Sequence, residues 1–158
     1  VYADNEYKWV AVLNRTIPLP QLLNAISHLA LGVGSGCPEP ADHLHEYEDS
    51  NGQPMALISH WPVIVLEAKN SNQLRTLRSS AAAAGLKCQA FANTMIGDSA
   101  EDQLQKTKAT DEKNVDYYAV LLFGKSDLLH GLTKKFSLFK ESRGQAQASA
   151  RWPRIDGK

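Results

Sequence analysis

Asn24 and His28 lie four residues apart in NAISH, the spacing that sets two side chains on one face of a helix. Histidine can act as acid or base near neutral pH, and the amide could orient it or bind a substrate amide. Ser27 precedes His28, but neighbours on a helix point about a quarter-turn apart, so adjacency alone makes no dyad. His43 and His45, with Glu46, form a second group. Alternate residues of a strand face the same way, so the 43/45 pair could chelate zinc or a softer transition ion, with Asp42 and His60 as further ligands. A closed zinc site takes four ligands, and two histidines at this spacing also occur on ordinary strands. The sequence therefore assigns no metal and no cofactor. Asn93-Thr94, with Gly97-Asp98, follows an apolar run. Polar residues at strand ends line crevices in α/β folds, and Thr94 could bind a phosphate or carboxylate. Turn chemistry accounts for the same residues without a ligand.

These groups give two site readings. A ligand site would use Asn24, His28, Asn93 and Thr94, while a catalytic one would pair His28 with Asp98. Gly124-Lys125-Ser126 lacks the upstream glycine of a phosphate loop, which excludes an ATPase of that kind. Lys125, Lys134 and Lys135 then form at most a small basic surface.

The elements that must position these residues follow from hydrophobic pattern. Residues 7–13 (YKWVAVL), 63–67 (VIVLE), 86–92 (LKCQAFA) and 117–123 (YYAVLLF) read as four strands, the second of them covered on both faces. Residues 21–33 read as a helix with Leu22, Ile26, Leu29 and Val33 on its buried stripe and Pro20 in its first turn. Asn51-Gly52 between residues 43–49 and 55–59 signals a hairpin. Ser71 or Asn72 caps a second helix that Gly85 ends, and Ser126 or Asp127 caps a last one. Residues 93–116 are polar and read as a surface excursion, with a short helix begun by Ser99 and Asp102. Strands alternating with helices, and two strands in succession near the end, give an α/β sandwich with a mixed sheet.

The chain has 158 residues, enough for one domain with a real core. Lysine and arginine number 17, as do aspartate and glutamate, so the formal charge is zero. That argues against a nucleic-acid partner, which needs a positive surface. Cys37 and Cys88 stand far apart and read as free thiols. No apolar run reaches membrane-spanning length, and no leader-like stretch is visible, so a cytoplasmic protein without a membrane partner is expected. Residues 1–140 read as one domain. Residues 141–158 read as a tail without a core-forming pattern, although Trp152 and Ile155 could dock on it or on another subunit.

The segments YKWVAVLN, NAISHLALGVG, WPVIVLEA and YYAVLLFGKSDLLHGLTKKFSLF, in this order, resemble the type II peptidyl-tRNA hydrolase superfamily. More narrowly they resemble a branch of it described only as a domain of unknown function. The resemblance runs over residues 7–139. It implies a three-layer α/β sandwich with a mixed four-stranded central sheet and an inserted hairpin. Active members open the first helix with a glycine- and lysine-rich segment whose lysines contact or assist at the tRNA ester. With Ser27 and His28 on the family's Ser-His pair, those lysine positions hold Leu19 and Gln21. The aspartate that the family carries past its third strand falls on Asn93, and an amide cannot act as a carboxylate base. The resemblance thus implies the fold without peptidyl-tRNA hydrolysis, unless Asp98 substitutes on a different loop path. Three functions are expected in turn: binding of a small molecule or peptide by the first helix and third strand, hydrolysis at His28, or assembly as a homodimer.

Overall fold

The structure, a computed structural model, describes residues 4–34 and 43–140. Cys37, Asp42 and the tail with Trp152 and Ile155 lie outside the described residues. Strand β1 (Tyr7–Asn14) is the centre of the domain and is buried from Trp9 to Asn14. It pairs in parallel with β4 (Val63–Ala68) and antiparallel with β6 (Tyr117–Lys125). Strand β5 (Lys87–Ala92) pairs antiparallel with β6, and β7 (Ser137–Leu138) antiparallel with β4. The sheet order is β5-β6-β1-β4-β7, which is mixed and has five strands rather than the four expected. The extra strand is two residues long, too short for any periodicity to announce it.

Strand alternation divides β1 between two cores. Trp9, Ala11 and Leu13 pack with α1 (Leu19–Gly34) on one face. Val10 and Val12 pack on the other with α2 (Ser71–Ala83) and α4 (Ser126–Thr133). The result is a three-layer sandwich. Pro20 sits in the first turn of α1, where a missing N–H costs nothing, and the amides of Gln21 and Leu22 both donate to Pro18 O. The buried stripe is Leu22, Ala25, Leu29 and Val33, with Ile26 only half-buried. The cap of α2 is Asn70, one residue earlier than expected, and its side chain accepts from Gln73 N at 3.1 Å. Ser71 instead accepts from Tyr117 N at 2.7 Å and ties the start of α2 to β6.

Strands β2 (Leu44–Glu48) and β3 (Pro54–Ser59) form a separate antiparallel hairpin. Its turn is longer than the two-residue type, which needs positive φ at both central positions. Only Gly52 has it, at +75°. Asp49 organises the loop instead, its side chain accepting from Asn51 N at 2.8 Å and Gln53 N at 2.9 Å.

Strand β4 departs most from expectation. Leu66 and Ala68 are buried against α2, but Val63 and Val65 are 58% and 37% exposed. The strand is covered on one face only, because α1 packs over β5 and β6 and does not reach it.

Asn14 closes β1 and is 1% exposed. Its Nδ2 donates to Tyr117 O at 3.0 Å, and its Oδ1 accepts from the Thr16 backbone N at 3.1 Å and hydroxyl at 2.8 Å. Replacing it strands buried partners, so Asn14→Ala is expected to lower the unfolding free energy by about 1–3 kcal/mol in urea titrations. The two backbone amides on Asp49 hold its carboxyl below the usual carboxylate range. A depressed carboxyl contributes stability above its unfolded pKa and loses it as pH falls through the folded one. The amide resonances of Asn51 and Gln53 should therefore shift together on acidification, with a midpoint below that of an unfolded-chain aspartate. A midpoint at or above it overturns this account of the loop.

Candidate functional site

Helix α1 places Asn24 half-buried and His28 exposed, with the His28 ring stacked 5.9 Å from that of Phe91 on β5. Among the described residues no carboxylate hydrogen-bonds His28. Ser27 donates its hydroxyl to Leu23 O, within its own helix. Asn93 is engaged by the backbone on both sides: its N donates to Asp116 O at 2.9 Å, and its side chain accepts from Asp116 N at 3.1 Å. That clamp starts the short 3-10 helix Asn93–Met95. Thr94 is 1% exposed, with its hydroxyl bonded to that of Thr107 at 2.9 Å, which docks α3 (Ala100–Ala109). Asp98 is exposed in the loop before α3, whose cap is Ser99. The polar atoms of Asn93 and Thr94 thus serve the chain's own loop, and Asn24, His28 and Asp98 are not among the residues lining the cleft described next.

A cleft opens instead where α1 fails to cover β4. It encloses about 360 Å³ between the C-terminal half of α1, the sheet and the hairpin. Ile26, Ala30 and Val33 form the helix wall, Trp9, Leu121 and Val63 the floor, and Leu44, Leu57 and Ser59 the hairpin wall. The lining is apolar apart from the Ser59 hydroxyl and backbone groups. Ser59 Oγ accepts from Trp9 Nε1 at 3.1 Å and from Trp61 N at 3.2 Å. With both lone pairs occupied, its own proton is left to donate. A smaller cavity of about 220 Å³ lies on the other side of α1, beside Lys87 and Gln89 of β5. The two cavities share Trp9, Val33 and Leu121.

The hairpin register explains which of its side chains face the cleft. Leu44 opposes Ser59 and Glu46 opposes Leu57, so these four share one face. His45 opposes Ile58, and His60 N donates to His43 O at 2.9 Å one step further along. His43, His45 and His60 therefore gather on the opposite face. One ring nitrogen from each lies within 4.8 Å of the other two. Glu46, grouped with the histidines by sequence proximity, alternates to the cleft side. His60, fifteen residues beyond His45 and expected from the sequence as a further ligand, is brought to the pair by the strand register.

The profile of a protein of unknown function, DUF2000, matches residues 7–140. The chain belongs to the DUF2000 family. A solved structure of a protein of unknown function from Agrobacterium tumefaciens matches with a TM-score of 0.72 at 17% identity. The match covers 85% of this chain and 98% of that one, and shows a shared fold. No curated protein matches. None of the helices among the described residues of this DUF2000 domain is long and apolar enough to cross a membrane.

Cys88, on β5 of the DUF2000 domain, is half-buried. Burial pushes its thiol up, and the positive charge of Arg78 only partly opposes this. The nucleophilic thiolate is thereby disfavoured. Site-resolved alkylation with iodoacetamide at neutral pH should label Cys88 more slowly in the folded chain than in urea. Equal or faster labelling of the folded chain would show an activated thiol.

Proposed function

We propose that this DUF2000 domain binds a small, largely apolar molecule in the cleft between α1, β4 and the hairpin. The observation that carries the reading is the apolar cleft of about 360 Å³ whose floor includes Val63, left open on β4. Ligand sites are concave, mostly apolar and furnished with a few directed polar groups, typically about 300–1,000 Å³. Here the directed group is the Ser59 proton. It selects a hydrogen-bond acceptor on the ligand, and a neutral carbonyl fits better than a charge, which the apolar walls would desolvate. This moves the binding site from the β5 side of α1, where the sequence pattern suggested it, to the β4 side.

The same reading favours binding over hydrolysis. Kinship with the type II peptidyl-tRNA hydrolase superfamily rests on the resemblance of the segments YKWVAVLN, NAISHLALGVG and WPVIVLEA. Yet Leu19 and Gln21 stand at the lysine positions that the resemblance implies, and Asn93 is bound to Asp116. Among the described residues, His28 has an aromatic neighbour and no carboxylate bonded to it.

The test is an NMR titration of the full chain with 2-octanone, an apolar molecule with one neutral acceptor, in the presence of EDTA. Saturable shifts are expected at the Trp9 indole N–H, which bonds Ser59, and at the methyls of Val63 and Leu57. Ala30→Trp places a ring in the cleft and should weaken binding at least about tenfold, a change of ~1.4 kcal/mol. Shifts that do not saturate, or that survive Ala30→Trp, would overturn the assignment of the cleft.

A further inference from the structure

The chain has five histidines, and three of them meet on one face of a two-stranded hairpin. The ring centroids of His43 and His60 are 4.5 Å apart and nearly parallel. Those of His45 and His60 are 4.9 Å apart, and those of His43 and His45 are 5.3 Å apart. We propose that His43, His45 and His60 bind one divalent ion of the zinc class through three imidazole nitrogens, with the fourth position open to water.

The geometry supports this in three ways. Nitrogens of His45 (Nε2) and His60 (Nδ1) are already 2.7 Å apart, sharing one hydrogen. Zinc–nitrogen bonds of about 2.0–2.1 Å in a tetrahedral site set ligand nitrogens about 3.3 Å apart. An ion replacing that hydrogen therefore opens the pair by roughly 0.6 Å, within the reach of small side-chain rotations on an exposed strand. Second, coordination through His60 Nδ1 leaves Nε2 outward, and the Asp4 carboxylate stands 4.0 Å from it. Metal-bound histidines commonly direct the other ring nitrogen at a carboxylate, which fixes the tautomer and strengthens the donor. Third, the edge of the Trp61 ring meets His60 at 4.5 Å, and Trp61 in turn packs on Tyr7 at 5.2 Å. One ligand is thus anchored to the body of the domain, while His45 rides on β2 and His43 immediately precedes it.

The donor set defines the class of ion. Imidazole suits zinc, copper, nickel and cobalt, whereas calcium and magnesium prefer oxygen and are excluded by three nitrogen donors. Three protein ligands on an open surface leave room for water, unlike a closed structural site. The ion would also join the start of β2 to the residue after β3, at the base of the hairpin whose other face lines the cleft.

The test uses the full chain, stripped with EDTA and free of any polyhistidine tag, titrated with cobalt(II) and read by visible absorption and calorimetry. One ion per chain is expected, with a four-coordinate cobalt spectrum, competition by zinc, and none by magnesium or calcium. Tryptophan fluorescence should fall with the same midpoint, through Trp61. His45→Ala and His60→Gln should each weaken binding at least about tenfold, while His28→Ala and His130→Ala leave it unchanged. The cluster is solvent-facing, and far-UV circular dichroism of each variant checks its fold. Equal effects of all four variants, or no saturation at one ion per chain, would overturn the site. A near-ultraviolet thiolate band would replace the three-imidazole assignment with one that includes a cysteine. None of these readouts depends on a ligand in the cleft, so this proposal and the binding reading fail separately.

Discussion

One helix cannot cover one face of this sheet. A helix is about 10 Å across and strands stand about 4.8 Å apart, so it covers roughly two strands. On one face α2 and α4 share the work, and the core there runs from Leu66 and Ala68 on β4 to Val120 and Leu122 on β6. On the other face α1 stands alone over β5 and β6. Everything distinctive about the molecule follows from the uncovered remainder. Aromatic side chains fill part of it: Trp9 packs 4.3 Å from Phe123, and Tyr7 lies between Phe123 and Trp61. The hairpin leans toward the rest and leaves a cleft.

The polar groups around this gap are arranged so that few are wasted. Ser59 takes two N–H donors, one from the indole that floors the cleft and one from the chain just after the hairpin. Those bonds fix where β3 ends relative to β1, and Trp9 N donates to Pro62 O at 2.9 Å to begin the parallel ladder with β4. On the far side of the sheet, Arg75 of α2 does similar work. It donates to Val115 O at 2.6 Å and pairs with Glu112 at 3.2 Å, holding the segment that leads into β6. Because β6 carries both cores, these bonds at its start act on each face at once.

The central strands were legible because their pattern is redundant. YKWVAVLN and YYAVLLF are apolar at nearly every position, as strands buried on both faces must be. VIVLE looks the same, yet its outward valines are exposed, and Val63 lines an open cleft. Composition reports that a strand has two apolar faces and not what covers them, and an open apolar face reads like a core face. The misplaced helix cap has a similar cause, since Asn70 and Ser71 are both good caps and the competing bond from Tyr117 N decides between them. Asn93 and Thr94 were visible as polar residues ending a strand, but their partners, Asp116 and Thr107, lie 23 and 13 residues away. The histidine pair at 43 and 45 was readable from alternation. The third member, His60, was open to the sequence only as a candidate alongside Asp42, and the hairpin register is what brings it onto the same face as the pair.

The hairpin is where these features meet, and it is the least self-sufficient element. Two strands alone are marginally stable in water. Here every residue from Leu44 to Ile58 is exposed, so little burial holds the strands together. Their stability comes from the ends: the Asp49 loop at the tip, and at the base the Ser59 bonds and the histidine cluster. The two faces are inseparable, because alternation that turns Leu44, Leu57 and Ser59 toward the cleft must turn His43, His45 and His60 away. Any interaction that tightens the base on one face therefore fixes the wall of the cleft on the other. With an exposed wall beside a buried floor, the hairpin rather than the sheet is the part of the fold expected to open first, since local opening is drawn from the least stable parts of a fold.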